Sequence, residues 1–134
     1  MKPRKVLIVD DEPHVIRVLR LTLEREGYRV ETANDGNEAL EKMAGYAPDV
    51  LISDIQMDGM DGRTLCRTAR RRYPLRSFLI LVMTSMTAMD ERDWVRELSD
   101  IEFLEKPLSP RQLVARLARY CFAPPGDLEI DHAG

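Results

Sequence analysis

Ile52-Ser53-Asp54-Ile55-Gln56 closes the third apolar run of the chain, Val50 to Ile52, on a carboxylate. A short run that is apolar on both faces suits the middle of a parallel sheet. An acid at its carboxyl end then lies on the rim where open α/β sheets bind ligands. Three other apolar runs also end in polar groups. Val6 to Val9 ends in Asp10-Asp11-Glu12, Phe78 to Met83 in Thr84-Ser85, and Ile101 to Leu104 in Glu105-Lys106-Pro107. If these strands are parallel, carboxylates, a hydroxyl and an ammonium meet on one rim. Such a rim suits a divalent cation and a phosphoryl group.

The segments between the runs read as helices. Pro13 opens the first, with Asp11 and Glu12 as caps. It runs to about Glu26, with Val15, Val18, Leu19, Thr22 and Leu23 on one face, and Gly27 ends it. Leu21 falls on the opposite side, as a stray exposed leucine or part of a docking surface. Tyr28 to Ala33 alternates like an edge strand. Asp35 and Glu38 form a capping-box pattern for a helix to about Tyr46. Asp61 caps a third helix, Arg63 to Tyr73, with Leu65, Cys66 and Ala69 inward. Its arginines (63, 67, 70, 71 and 72, with Arg76 beyond) read as a solvated face or, more sharply, as a site for an acidic partner. Thr87 caps a helix over 88–98 carrying Trp94. Ser109-Pro110-Arg111-Gln112 opens the last, to about Tyr120, with Leu113, Val114 and Leu117 inward and Arg111, Arg116 and Arg119 outward. Five strands alternating with five helices imply an α/β fold, a parallel sheet with helices on both faces.

Composition bounds the function. The 134 residues suit one domain: residues 1–122 form it, and 123–134, with Pro124-Pro125-Gly126, are a tail or the start of a linker. A net charge of −3 argues against direct nucleic-acid or membrane binding. Cys66 and Cys121 make no metal or redox motif and read as reduced thiols of a cytoplasmic protein. No run approaches the length of a membrane span, and the N-terminus lacks a signal-peptide pattern.

Asp10, Asp11 and Asp54 are hard oxygen donors, suited to Mg²⁺ or Mn²⁺. Without a cation they would repel one another, and Lys106 relieves part of that repulsion. Phosphoryl transfer needs charge neutralised on the phosphoryl oxygens. Lys106 and the Thr84 hydroxyl can contribute, and Asp54 is then the nucleophile that forms an acyl phosphate.

Together, Asp10-Asp11-Glu12-Pro13, the Asp54 strand, Met57-x-Gly59-Met60-Asp61-Gly62, Thr84-Ser85 and Lys106-Pro107 resemble the receiver domain of two-component response regulators. The resemblance covers about residues 4–122. It implies a flavodoxin-like sheet of order 2-1-3-4-5 and phosphorylation of Asp54 by a sensor histidine kinase or histidine phosphotransfer protein. It implies Mg²⁺ (or Mn²⁺) held by Asp11, Asp54 and the Gln56 backbone carbonyl, with Asp10 acting mostly through water. Lys106 would contact the phosphoryl group, and its bond to Pro107 would be cis. Thr84 and Phe103 would be the switch pair. They would alter the surface of helix 88–98, the fifth strand and the last helix for a downstream partner, an attached output domain or a phosphorylation-dependent dimer.

Asp58 replaces the family's usual proline, Ser85 its alanine, and Leu98-Ser99 its Gly-Ala. Gln56 and Met86 hold the two variable rim positions that tune hydrolysis of the acyl phosphate in the family. Three other readings compete. A haloacid dehalogenase-type phosphatase wants a second aspartate two residues after its nucleophile, where Gln56 stands. A flavin carrier would have Asp10-Asp11-Glu12 repelling its phosphate. A receiver-like module working unphosphorylated usually lacks part of the acid, threonine and lysine set, which is complete here.

Overall fold

A computed structural model of the chain describes residues 4–57, 59–84, 100–106 and 109–122. In chain order the elements are β1 (Lys5–Val9), α1 (Pro13–Arg25), β2 (Arg29–Ala33), α2 (Gly36–Tyr46), β3 (Val50–Asp54), α3 (Gly62–Arg72), β4 (Leu79–Thr84), β5 (Ile101–Glu105) and α4 (Pro110–Phe122). The strands form one sheet in the order β2-β1-β3-β4-β5, every pair parallel, as expected. Four helices stand among the described residues. The helix expected over 88–98, with Thr87 and Trp94, lies outside them.

The pleat divides the core in two. Val6, Ile8, Val50, Ile52, Leu79, Leu81 and Met83 face α1 and α4, meeting Ile16, Leu19, Leu23, Leu113 and Leu117. Leu7, Val9, Leu51, Ile80 and Val82 face α2 and α3, meeting Leu40, Met43, Leu65, Cys66 and Ala69. Both faces of β1, β3 and β4 are therefore buried, which is why their sequences are apolar throughout. Truncating one of these leucines to alanine is expected to cost about 2–5 kcal/mol. The edge strands β2 and β5 are less buried.

Among the described residues the caps follow the sequence with one exception. Asp35 accepts from the Glu38 N–H at 2.8 Å, and Asp61 from the Thr64 N–H at 2.9 Å. Ser109 Oγ accepts from the Gln112 N–H at 3.3 Å. Glu12 occupies the cap position of α1 but makes no side-chain cap, and Pro13 stands in the first turn as expected. The inward face of α1 also differs from expectation. Ile16 is buried in place of Val18, which is 48% exposed, while Leu21 is exposed as expected. The helix is rotated so that Ile16, Leu19 and Leu23 (i, i+3, i+7) form the seam.

Two arginines expected in solvent act instead as bolts. Arg70 donates to the carbonyls of Phe78 (2.8 Å) and Asp100 (3.0 Å), and its guanidinium lies 4.3 Å from the centre of the Phe78 ring. Asp100, left-handed at φ 51°, also accepts from the Ile80 N–H at 2.8 Å, so α3 and β4 together hold the entrance to β5. Arg116, read as outward, pairs with Glu102 of β5, its Nε 2.7 Å from Oε1.

Candidate functional site

The carboxyl ends of β1, β3, β4 and β5 bring the expected residues to one rim. Parallel register does this directly: Asp54 lies beside Met83, and Thr84 beside Glu105. Lys106 follows one residue later, and its N–H donates to the Thr84 carbonyl at 2.8 Å. Its Nζ reaches Asp54 Oδ2 at 2.8 Å. Asp54 Oδ1 accepts from the Gln56 N–H at 3.3 Å. Asp54 is almost wholly buried, as are Asp10 and Thr84.

Alternation along the strands sorts these groups by face. Ile52, Met83 and Leu104 contribute to the core under α1 and α4. Asp54, two residues after Ile52, and Lys106, two after Leu104, continue that side. Val82 and Phe103, paired across β4 and β5, contribute to the opposite core under α2 and α3. Thr84, two residues after Val82, continues that side. The expected switch pair, Thr84 and Phe103, thus shares one face of adjacent strands, while Asp54 and Lys106 share the other.

Oxygen atoms of Asp10, Asp11, Glu12 and Asp54 lie within 4.8 Å of one another. Glu12 is the member that sequence reading assigned to helix capping. The signal was its place in Asp10-Asp11-Glu12, and the absence of a cap bond frees it for this cluster. Asp10 Oδ1 accepts from the Glu12 N–H at 2.9 Å, while the buried Oδ2 has no hydrogen-bond partner among the described residues. Burial pushes the Asp10 carboxyl above its usual range; the Glu12 N–H opposes this, and the Asp54 charge adds to it. For Lys106, burial disfavours the ammonium, but the hydrogen bond and charge of Asp54, with Asp10 and Glu12, outweigh it and raise its pKa. An orphaned buried carboxylate oxygen among hard oxygen donors fits a small divalent cation.

Gly62, quoted in the loop motif but given no role from sequence, packs its bare α carbon on the backbone of Asp54. Beside the rim, a groove of about 560 Å³ is lined by Glu12, His14, Val15, Val18, Met83 and Lys106, among others. Asp58, Ser85, Met86, Leu98-Ser99 and Pro107 lie outside the described residues, and with them the expected cis bond at Lys106–Pro107. Among the described residues no helix is long and apolar enough to cross a membrane.

Fold and rim define a flavodoxin-like α/β domain whose acidic pocket fits a phosphoacceptor. The model of the response regulator receiver domain matches residues 6–118. The Vibrio cholerae chemotaxis protein CheY4 is similar at 34% identity, over 87% of this chain and 98% of that one, with a TM-score of 0.81. A Chloroflexus aurantiacus chain described as a response regulator is similar at 36% identity, over 88% and 97%, with a TM-score of 0.79. The receiver domain of a Syntrophus aciditrophicus signal transduction histidine kinase is similar at 34% identity, over 87% and 88%, with a TM-score of 0.73. The chain belongs to the response regulator receiver domain family.

Proposed function

We propose that this domain is a cytoplasmic, phosphorylation-activated receiver whose phosphoacceptor is Asp54. The observation that carries the reading is the meeting of Asp54 with Lys106 and with the Asp10-Asp11-Glu12 carboxylates on one rim. An Asp54 carboxylate oxygen attacks the phosphorus of a phosphohistidine on a sensor kinase or phosphotransfer protein. The P–N bond breaks, imidazole leaves, and an acyl phosphate forms. Asp10, Asp11, Asp54 and the Gln56 carbonyl would hold Mg²⁺ or Mn²⁺, which when bound neutralises charge on the phosphoryl oxygens.

Lys106 exchanges its contact with Asp54 for a phosphoryl oxygen. The Thr84 hydroxyl donates to another, and Phe103, on the same face of the neighbouring strand, follows. The phosphoryl group thereby favours one of two states, and the surface around β5 and α4 presents it to a downstream protein or attached output domain. The groove under α1 opens beside Lys106 and offers a phosphodonor protein apolar contact next to the reacting oxygen.

The test is intact mass after incubation with acetyl phosphate, with and without Mg²⁺, on wild type and Asp54→Ala. One Mg²⁺-dependent phosphoryl adduct, lost in the variant, is expected. A folded wild type that binds Mg²⁺, gives no adduct and does not consume the donor would instead be an interaction module working unphosphorylated.

A further inference from the structure

Gly62 opens α3, yet it is buried against the strand that carries Asp54. Its N–H donates to the Ile55 carbonyl at 2.8 Å, closing the loop that contains Gln56 into a ring. A Cβ at this position would stand 2.3 Å from the Asp54 carbonyl oxygen, 2.8 Å from Ile55 Cα and 3.0 Å from the Asp54 carbonyl carbon. All three are backbone atoms, so none can rotate away. Gly36 differs, since the atoms nearest a Cβ there belong to the Met60 side chain rather than to the backbone of a strand. Gly62 is helical, a conformation every residue adopts, and alanine is the better helix former. Space against Asp54, rather than backbone freedom, therefore demands the glycine.

We propose that Gly62 is a positioning residue for the phosphoacceptor. Its bare α carbon lets the first turn of α3 seat against the Asp54–Ile55 peptide. That contact sets the orientation of the Asp54 carboxylate and of the Gln56 backbone, which hydrogen-bonds to it. The inference rests on Asp54 being the phosphoacceptor. A Cβ would displace the Asp54–Ile55 peptide, and a misplaced reacting atom slows transfer.

The experiment compares wild type, Gly62→Ala and Leu117→Ala, the last cutting the core on the opposite face of the sheet. Each is assayed at a temperature where circular dichroism shows it fully folded. The readouts are Mg²⁺ affinity by calorimetry and the acetyl phosphate dependence of adduct formation, resolved into maximal rate and half-saturation. Gly62→Ala is expected to lose at least tenfold in maximal rate and several-fold in Mg²⁺ affinity, with Leu117→Ala within twofold of wild type in both. Should Gly62→Ala not fold, Asp61→Ala loosens the same turn without adding an atom to it, and a loss of about threefold in rate is expected. Wild-type rate and Mg²⁺ affinity in a folded Gly62→Ala, an equal loss in Leu117→Ala, or an unchanged Asp61→Ala would each overturn the proposal. Absence of any adduct on wild type would instead remove the phosphoacceptor reading on which it rests.

Discussion

Lys106 Nζ and Asp54 Oδ2, from residues 52 positions apart in the chain, lie 2.8 Å apart at the end of the sheet. The contact exists because β5 runs beside β4 and β4 beside β3, all in parallel register. It leaves the ammonium partly exposed, beside the groove that Lys106 also lines.

Lys106→Ala is expected to slow adduct formation from acetyl phosphate about a hundredfold, the usual cost of removing one group that stabilises developing charge. Initial rates by intact mass check this. Asp54→Asn should give no adduct at this position. An unchanged rate in Lys106→Ala would make the lysine a counter-ion for Asp54 and nothing more.

Asp10 gives a prediction about pH. Its pKa in the folded protein is raised, first by burial, so the native state holds the proton more tightly than the unfolded chain does. The stability gained by protonation is fully present below the unfolded value and is lost as pH rises through the folded one. At pH 7, without a divalent cation, Asp10→Asn should therefore stabilise the protein and raise its urea midpoint. The gain should shrink toward pH 4, while Mg²⁺ affinity falls. Urea midpoints at the two pH values, with chelator present, test the sign.

Val18 and Leu21 are both about half exposed, and being three residues apart on α1 they are neighbours. Val18 lines the groove that reaches Lys106. Val18→Glu and Leu21→Glu should slow phosphotransfer from a cognate kinase at least tenfold and leave the reaction with acetyl phosphate unchanged. Comparing the two donors on the same preparations separates docking from chemistry. A loss with both donors would place the defect in the pocket itself.

Cys66 is wholly buried, and burial pushes its thiol up to about 12, so thiolate is negligible at pH 8. In a Cys121→Ser background, the native protein should not react with a disulfide reagent at that pH over minutes. Full reaction is expected in 6 M guanidinium. Rapid native reaction would show that α3 opens from the sheet.

Much of this was legible in the chain. The runs Val6–Val9, Val50–Ile52 and Phe78–Met83 are apolar on both faces, and only a central parallel strand needs that, so the layered fold followed from local pattern. The capping residues Asp35, Asp61 and Ser109 act within a few positions of themselves and were readable for the same reason. Asp54 and Lys106 were legible as candidates because each ends an apolar run.

Contacts between distant segments were decided only by the tertiary structure. Helical periodicity admits neighbouring faces, and packing on β1 and against α4 chose Ile16 over Val18. Arg70 and Arg116 carry the same charge as the exposed arginines of their helices. Which of them meets the Asp100 carbonyl or the Glu102 carboxylate depends on where β5 lies. Glu12 could cap or join the acids, and the backbone geometry at the start of α1 sends it to the acids. Gly62 is a loop glycine in the sequence. It becomes a spacer for Asp54 only when α3 folds back across the end of β3, because steric exclusion acts between surfaces that the linear chain does not bring together.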